Sequence, residues 1–275
     1  MQRVVVTGSF DDLRSRHVRF LEEASRLGDV YVLLWSDEVV HAVHGVVSKF
    51  PQEERLYFLQ AIRFVAQVSL VTHPIGRDVI TPIDEIKPDL WVVDETSDSP
   101  QKRAYCEAHG LGYLVLKESG LLGFPITQPN QPRNAGPLPH KKVFVTGSFD
   151  WLHSGHVRFL EEASELGDLY VGVGHDENIR LLKGPGHPMF SQDERLYMVQ
   201  AIRFVTGSVI TSGYRWMDAA PEIARIRPDL YVVNEDGDKP EKRAFCEEHH
   251  IEYVVLKRAP KDGLPKREST SLRGF

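Results

Sequence analysis

The stretch from Thr146 to His156, TGSFDWLHSGH, gathers groups suited to holding phosphate. Gly147 and Ser148 can close a strand tightly enough to turn backbone N–H groups into a crevice. Ser154 is a candidate N-cap for a helix whose amino end carries partial positive charge. His153 and His156 are three apart, so both imidazoles share one side of a first helical turn and can grip one anion. Gly155 between them leaves room for a phosphate to approach the backbone. Two ordinary surface histidines at a helix start are the alternative reading of these residues alone.

The same passage occurs earlier in the chain in altered form. FDDLRSRHVRF begins at Phe10 and FDWLHSGHVRF at Phe149, with Asp12 for Trp151, Arg14 for His153 and Arg16 for Gly155. Between Val4–Tyr31 and Val143–Tyr170, 22 of 28 positions are identical. The match resumes at FPQEERLYFLQAIRFV against FSQDERLYMVQAIRFV and at KPDLWVVDE against RPDLYVVNE. Repeats of this length are whole domains. The expected division is a first domain at 1–126, a proline-rich linker at 127–140 and a second domain at 141–275.

Each copy alternates strand and helix signals. In the second, KKVFVTGSF reads as a buried parallel strand. HVRFLEEASEL follows with Val157, Leu160, Ala163 and Leu166 at helical spacing. LYVGVG, SVITS, DLYVVNE and EYVVLK read as further strands. DERLYMVQAIRFV, APEIARI and Lys239–His249 read as the helices between them, and Asp176 and Glu177 as a helix-start pair. This order predicts an α/β fold of two tandem Rossmann-like domains, each a doubly wound parallel sheet with right-handed crossovers. Ligands on such sheets sit beyond the carboxyl ends of the strands, where Ser148–His156 should lie.

Composition narrows the classes. The chain has 275 residues, 41% hydrophobic and 26% charged, with a net charge of −6, which describes a globular protein without the basic field of a nucleic-acid binder. MQRVVVTGSF lacks a signal-peptide layout and no apolar run approaches a membrane span, so a soluble, cytoplasmic protein is expected. The two cysteines, Cys106 and Cys246, fall at matching places of KRAYCEAHG and KRAFCEEHH and read as buried helix positions repeated by duplication.

GSFDWLHSGH resembles the GxFDxxHxGH signature of the cytidylyltransferase-like nucleotidyltransferases, which include the glycerol-3-phosphate, ethanolamine-phosphate and choline-phosphate cytidylyltransferases. HDENIRLLKGPGHPMFSQDERLYMVQAIRFV resembles that family's segment running from an acidic turn through a phosphate-binding lysine to a helix ending IRYV, and STS at 269–271 its closing ISTS motif. The resemblance implies that His153 and His156 hold the phosphates and stabilise charge as the α-phosphorus is attacked. Lys183 would reach the α-phosphate from the flexible loop KGPGHP. Thr146, Gly147, Ser148, Phe149, Gly155, Arg203 and Asp236 would line the nucleotide site, with Ser269, Thr270 and Ser271 binding the outer phosphates. Asp150, Trp216 and Arg258 would lie near the acceptor or the metal. Mg²⁺ would accompany the nucleotide, with water and phosphate as most of its ligands and no dedicated protein site. From the residues alone, Lys183 also reads as a solvated loop lysine, Arg203 as a helix-face ion-pair partner and Trp216 as core.

Departures from the family pattern matter as much. Where the family carries an arginine before ISTS, either Arg258 or Arg267 fits. The GDD-like turn is NEDGD, with Asn234 for a glycine. In the first copy His44 faces Lys183, Gly76 faces Trp216, Thr96 faces Asp236, Glu118 faces Arg258 and Pro129 faces Ser269. Arg16 would fill the space left open at Gly155, so this copy reads as folded but inactive, pairing internally with the second as a pseudo-dimer. The rival reading makes Arg14 and Arg16 a new anion site.

The resulting expectation is transfer of CMP from CTP to a small phosphorylated alcohol, such as glycerol phosphate or phosphoethanolamine, with release of pyrophosphate. The first alternative is adenylyl transfer from ATP to a sugar phosphate, because DGDKPEK resembles the GDYKPEE turn of heptose-phosphate adenylyltransferases. The second is a non-catalytic, nucleotide-binding regulator.

Overall fold

The computed structural model describes residues 2–72, 86–125, 141–269 and 272. The chain divides into two compact units, Met1–Phe124 and Pro125–Phe275. The first runs β1 (Arg3–Gly8), α1 (Ser15–Ser25), β2 (Asp29–Trp35), α2 (Asp37–His44), α3 (Gln52–Ala61), β3 (Val65–Val71), β4 (Leu90–Asp94), α4 (Pro100–Ala108) and β5 (Gly112–Leu116). The second has the same strand order and one more helix among the described residues, α8: β6 (Lys142–Gly147), α5 (Ser154–Ser164), β7 (Asp168–Val173), α6 (Asp176–Lys183), α7 (Gln192–Gln200), β8 (Gly207–Ile210), α8 (Ala220–Ile226), β9 (Leu230–Asn234), α9 (Pro240–Glu248) and β10 (Glu252–Leu256).

Each unit has a five-stranded parallel sheet, ordered β3-β2-β1-β4-β5 and β10-β9-β6-β7-β8. The two are Rossmann-like. Strand order reverses beside β6, which pairs with β7 on one edge and β9 on the other. A crevice therefore opens at the carboxyl ends of β6 and β9, the switch point of a doubly wound sheet.

Residue types explain the elements. Val143, Phe144 and Val145 are fully buried, as a central parallel strand covered on both faces requires. In α5, Val157, Leu160 and Ala163 form the buried stripe that packs it on the sheet. Phe144, Ala219, Ile223, Tyr231, Val233 and Cys246 make one core cluster of the second unit, mirrored by Val5, Leu33, Val71, Trp91, Val93 and Cys106 in the first. Both cysteines are free and buried, and burial pushes the Cys246 thiol up to about 11, away from the thiolate a nucleophile needs.

Two expectations change. Helix α7 ends at Gln200 rather than running through AIRFV, because Ile202 and Val205 close tight turns onto Val199 and Ile202. The strand expected from SVITS is Gly207–Ile210. Among the described residues no helix is long and apolar enough to cross a membrane. The expected linker, Gly76 and Pro129 lie outside the described residues.

Candidate active site

A cavity of about 360 Å³ occupies the switch point of the second unit. Thr146, Gly147, Ser148 and Phe149 form its floor at the end of β6, and His153, Gly155 and His156 its wall at the start of α5. Lys183, Trp216, Asp236, Arg258 and Ser269 close round it.

The turn out of β6 is held under strain. Phe149 has φ of 48° although it carries a side chain, as Phe10 does with φ of 44° in the first copy. A Cβ at Gly147 would stand 2.9 Å from the Phe149 ring, so glycine is required there. The N-cap of α5 is His153, not Ser154: its backbone is extended and its Nδ1 accepts the Gly155 N–H at 3.1 Å. That bond fixes the tautomer, since an accepting Nδ1 leaves the proton on Nε2. Nε2 is buried and has no hydrogen-bond partner among the described residues. Gly155 is needed for a reason besides phosphate access, because a Cβ would press on His153 Cε1 at 3.0 Å.

The two imidazoles lie 4.0 Å apart between centroids, and the Phe149 ring meets His156 edge-on. Burial, then Arg258 and Arg267, lowers His153 to about 3, and burial followed by His153 holds His156 well below the ordinary range. Both are neutral near pH 7; His153 presents its Nε2–H without a full charge, while His156 is hydrogen-bonded to the Trp151 backbone. The linkage has a definite sign. Above the ordinary histidine value of 6.5 folded and unfolded chains bind no proton at His153, while between 6.5 and about 3 only the unfolded chain does. Stability therefore falls with acidification across that window, by about 1.4 kcal/mol per pH unit for one such group. Urea unfolding of His153→Asn, which keeps a capping acceptor, is expected to show a shallower decline than the parent between pH 6 and 4.5. Equal slopes would contradict the neutral, buried imidazole.

Lys183 is the last residue of α6 rather than part of the loop, which starts at Gly184 with φ of 83°. Its Nζ donates to Ser148 Oγ at 2.7 Å, bringing an ammonium to the end of β6. A residue that sequence reasoning missed fixes this geometry. Arg195, almost fully buried on α7, donates to the carbonyls of Ser148 (2.6 Å), Gly174 (2.7 Å) and Phe190 (3.0 Å) and to Asp176 Oδ1 (2.7 Å). Arg55 makes the equivalent set in the first unit, so the clamp belongs to the fold.

Asp150 does not line the cavity. Its carboxylate accepts from the N–H groups of Met189 (2.6 Å) and Phe190 (3.2 Å) and contacts His187 Nδ1, pinning the loop after Lys183. Asp11 makes the same backbone contacts to Lys49 and Phe50 in the copy that lacks the histidine pair. Arg203 is also elsewhere: it precedes β8, at the amino-terminal edge of the parallel sheet and away from the crevice. Trp216 is 43% exposed, lines the cavity from a 3-10 turn and carries the Lys239 ammonium 5.0 Å over its ring. Asn178, unforeseen from sequence, holds that turn through Arg215 and the Asp218 carboxylate.

Arg258 lines the cavity, pairs with Asp236 and donates to the Arg267 carbonyl, and the Arg258 and Arg267 charges both act on His153. Ser269 lies at the rim with its hydroxyl 3.4 Å from the Trp151 carbonyl, and Thr270 and Ser271 are outside the described residues.

The corresponding region of the first unit is filled by its own charges. The Arg16 guanidinium bridges Asp94 at 2.9 Å and Glu118 at 2.6 Å. Arg14 pairs with Asp12 at 2.6 Å, and His44 packs on Trp35. Both arginines expected as an anion site thus have carboxylates against them, which disfavours that reading.

A family model described as Cytidylyltransferase-like matches residues 5–114 and 144–271. A bifunctional protein HldE of Vibrio cholerae is 42% identical over 135 residues, 48% of this chain and 26% of the relative. That of Campylobacter concisus is 40% identical over 97 residues, 35% of this chain and 20% of the relative. The chain thus spans only a fifth to a quarter of these proteins. An FAD synthase of Methanocorpusculum labreanum is 33% identical over 135 residues, 48% of this chain and 92% of that protein.

Proposed function

Because the chain belongs to the cytidylyltransferase-like family, we propose that its second unit transfers a nucleoside monophosphate from ATP to a small phosphorylated alcohol. An oxygen of the acceptor's phosphate attacks the α-phosphorus, a new P–O bond forms, and the bond to the bridging α–β oxygen breaks as pyrophosphate leaves. A phosphate nucleophile has no proton to lose, so the site needs positioning and charge rather than a base. The observation that carries this reading is the unpartnered, buried His153 Nε2, aligned with His156 at the amino end of α5 and faced by Lys183. The His153 Nε2–H and the Lys183 ammonium suit oxygens whose charge grows in the transition state.

Among the described residues no three His, Cys, Asp or Glu side chains converge as a metal site. The first unit, with Arg16 locked between two carboxylates, is read as an inactive copy.

Two observations favour ATP over the CTP expected from sequence. Arg203, which the resemblance places in the nucleotide site beside Asp236, stands at the opposite end of the sheet from the cavity, although Asp236 lines it. One relative is named for FAD, a product whose second half is an adenylyl group. ATP is expected to raise the melting temperature more than CTP at equal concentration; a ligand at a hundredfold excess over its dissociation constant adds about 2.7 kcal/mol. A larger shift with CTP would restore the cytidylyl reading.

A further inference from the structure

Lys242 is a buried lysine in the first turn of α9. It is 7% exposed, lines the cavity, and its ammonium makes no hydrogen bond or ion pair among the described residues. Its ammonium lies over the Tyr231 ring, 5.7 Å from the centroid. The charges around it are Asp218, Asp236 and Lys239, but Asp218 already accepts from Thr211 and Asn178 and Asp236 is paired with Arg258. The first unit shows the contrast. There Lys102 donates to the Ser97 carbonyl at 2.6 Å, and Ser99 caps α4 through the Lys102 N–H. In the second unit Lys239 is the N-cap of α9 and offers no side-chain cap. A buried ammonium beside an uncapped helix start is the composition of an anion seat.

Its position is informative. With right-handed crossovers, the helix between β6 and β7 and the helix between β9 and β10 lie on opposite faces of the sheet. Their amino ends then enter the β6/β9 crevice from either side. The α5 side presents His153 and His156, and the α9 side presents Lys242.

Resting on the function proposed above, we infer that Lys242 and the amino end of α9 seat the phosphate of the acceptor, which is therefore a phosphate monoester. Opposed seats would bring two polyanions together with their charge divided between the two helix starts, and in-line attack requires that approach.

The test is a thermal-shift titration of the intact chain in the presence of α,β-methylene-ATP. Glycerol 3-phosphate, phosphoethanolamine and glucose 1-phosphate serve as probes. At least one monoester is expected to bind saturably. Lys242→Met should weaken it at least about tenfold, with the nucleotide analogue within about twofold and Lys242→Arg restoring most of the loss. Equal weakening of both ligands would assign the lysine to the nucleotide, and an unchanged monoester affinity or no monoester binding at all would overturn the inference. Should the methionine variant fail to fold, the Lys242 ¹³Cε signal of the unaltered protein decides: monoester binding should raise its pKa, and an unchanged titration overturns the inference. Binding is read here without turnover, so an absence of pyrophosphate release would sink the proposed function separately.

Discussion

Replacing His156 by alanine is expected to lower pyrophosphate release by on the order of a hundred- to a thousandfold, the usual scale for removing one preorganised polar group from a transition-state site. His17→Ala is expected to leave turnover within a few-fold of the parent. The two residues occupy the same place in nearly identical helix starts, yet their surroundings differ. His156 has His153 at 4.0 Å, glycine beside it and Lys183 across the cavity. His17 accepts the Arg14 N–H at 3.1 Å, next to an Arg16 bound to Asp94 and Glu118. Restoring Arg14→His and Arg16→Gly should not create a second site, because His44 still stands where Lys183 does. Activity that survives His156→Ala and vanishes when His17→Ala is added would show the first unit to be the working one.

Lys183→Ala is expected to reduce kcat by on the order of a hundredfold or more, while the dissociation constant for ATP changes much less. Its ammonium is parked on Ser148 Oγ at 2.7 Å at the end of a helix followed by Gly184, Pro185 and Gly186. A group so placed can shift toward an α-phosphate whose charge grows as the bond to pyrophosphate breaks, and its largest contribution then comes in the transition state. Pre-steady-state turnover and equilibrium binding measured on the same variant separate the two effects. A loss of the same factor in both would make Lys183 a ground-state contact only.

The fold and the histidine pair were legible because they depend on local pattern. Alternating apolar strands and 3.6-period helices imply the doubly wound sheet, and the sheet's switch point locates TGSFDWLHSGH at the crevice. What escaped the sequence depends on contacts between distant segments. Arg195 reaches Ser148, 47 residues away, and Asn178 reaches Arg215, 37 residues away, contacts that the motif around them does not reveal. Ser154 looked the better cap by type, but the extended backbone at His153 lets an imidazole nitrogen serve. Asp150 belongs to the signature, yet it holds a loop that the first copy holds in the same way with Asp11. Arg203 shows the limit of a motif: resemblance places it in the chain, but strand polarity puts it at the far edge of the sheet.

The proposed reaction forms a phosphoanhydride between a nucleotide and a phosphorylated alcohol. Phosphorus NMR of the intact protein with ATP, Mg²⁺ and each phosphate monoester in turn reads that bond directly. Equal amounts of pyrophosphate and a new pair of coupled diphosphate signals are expected with at least one monoester, both lost in His156→Ala. Formation of ADP with a phosphorylated product, or no consumption of ATP with any monoester beyond the protein-free control, would contradict it.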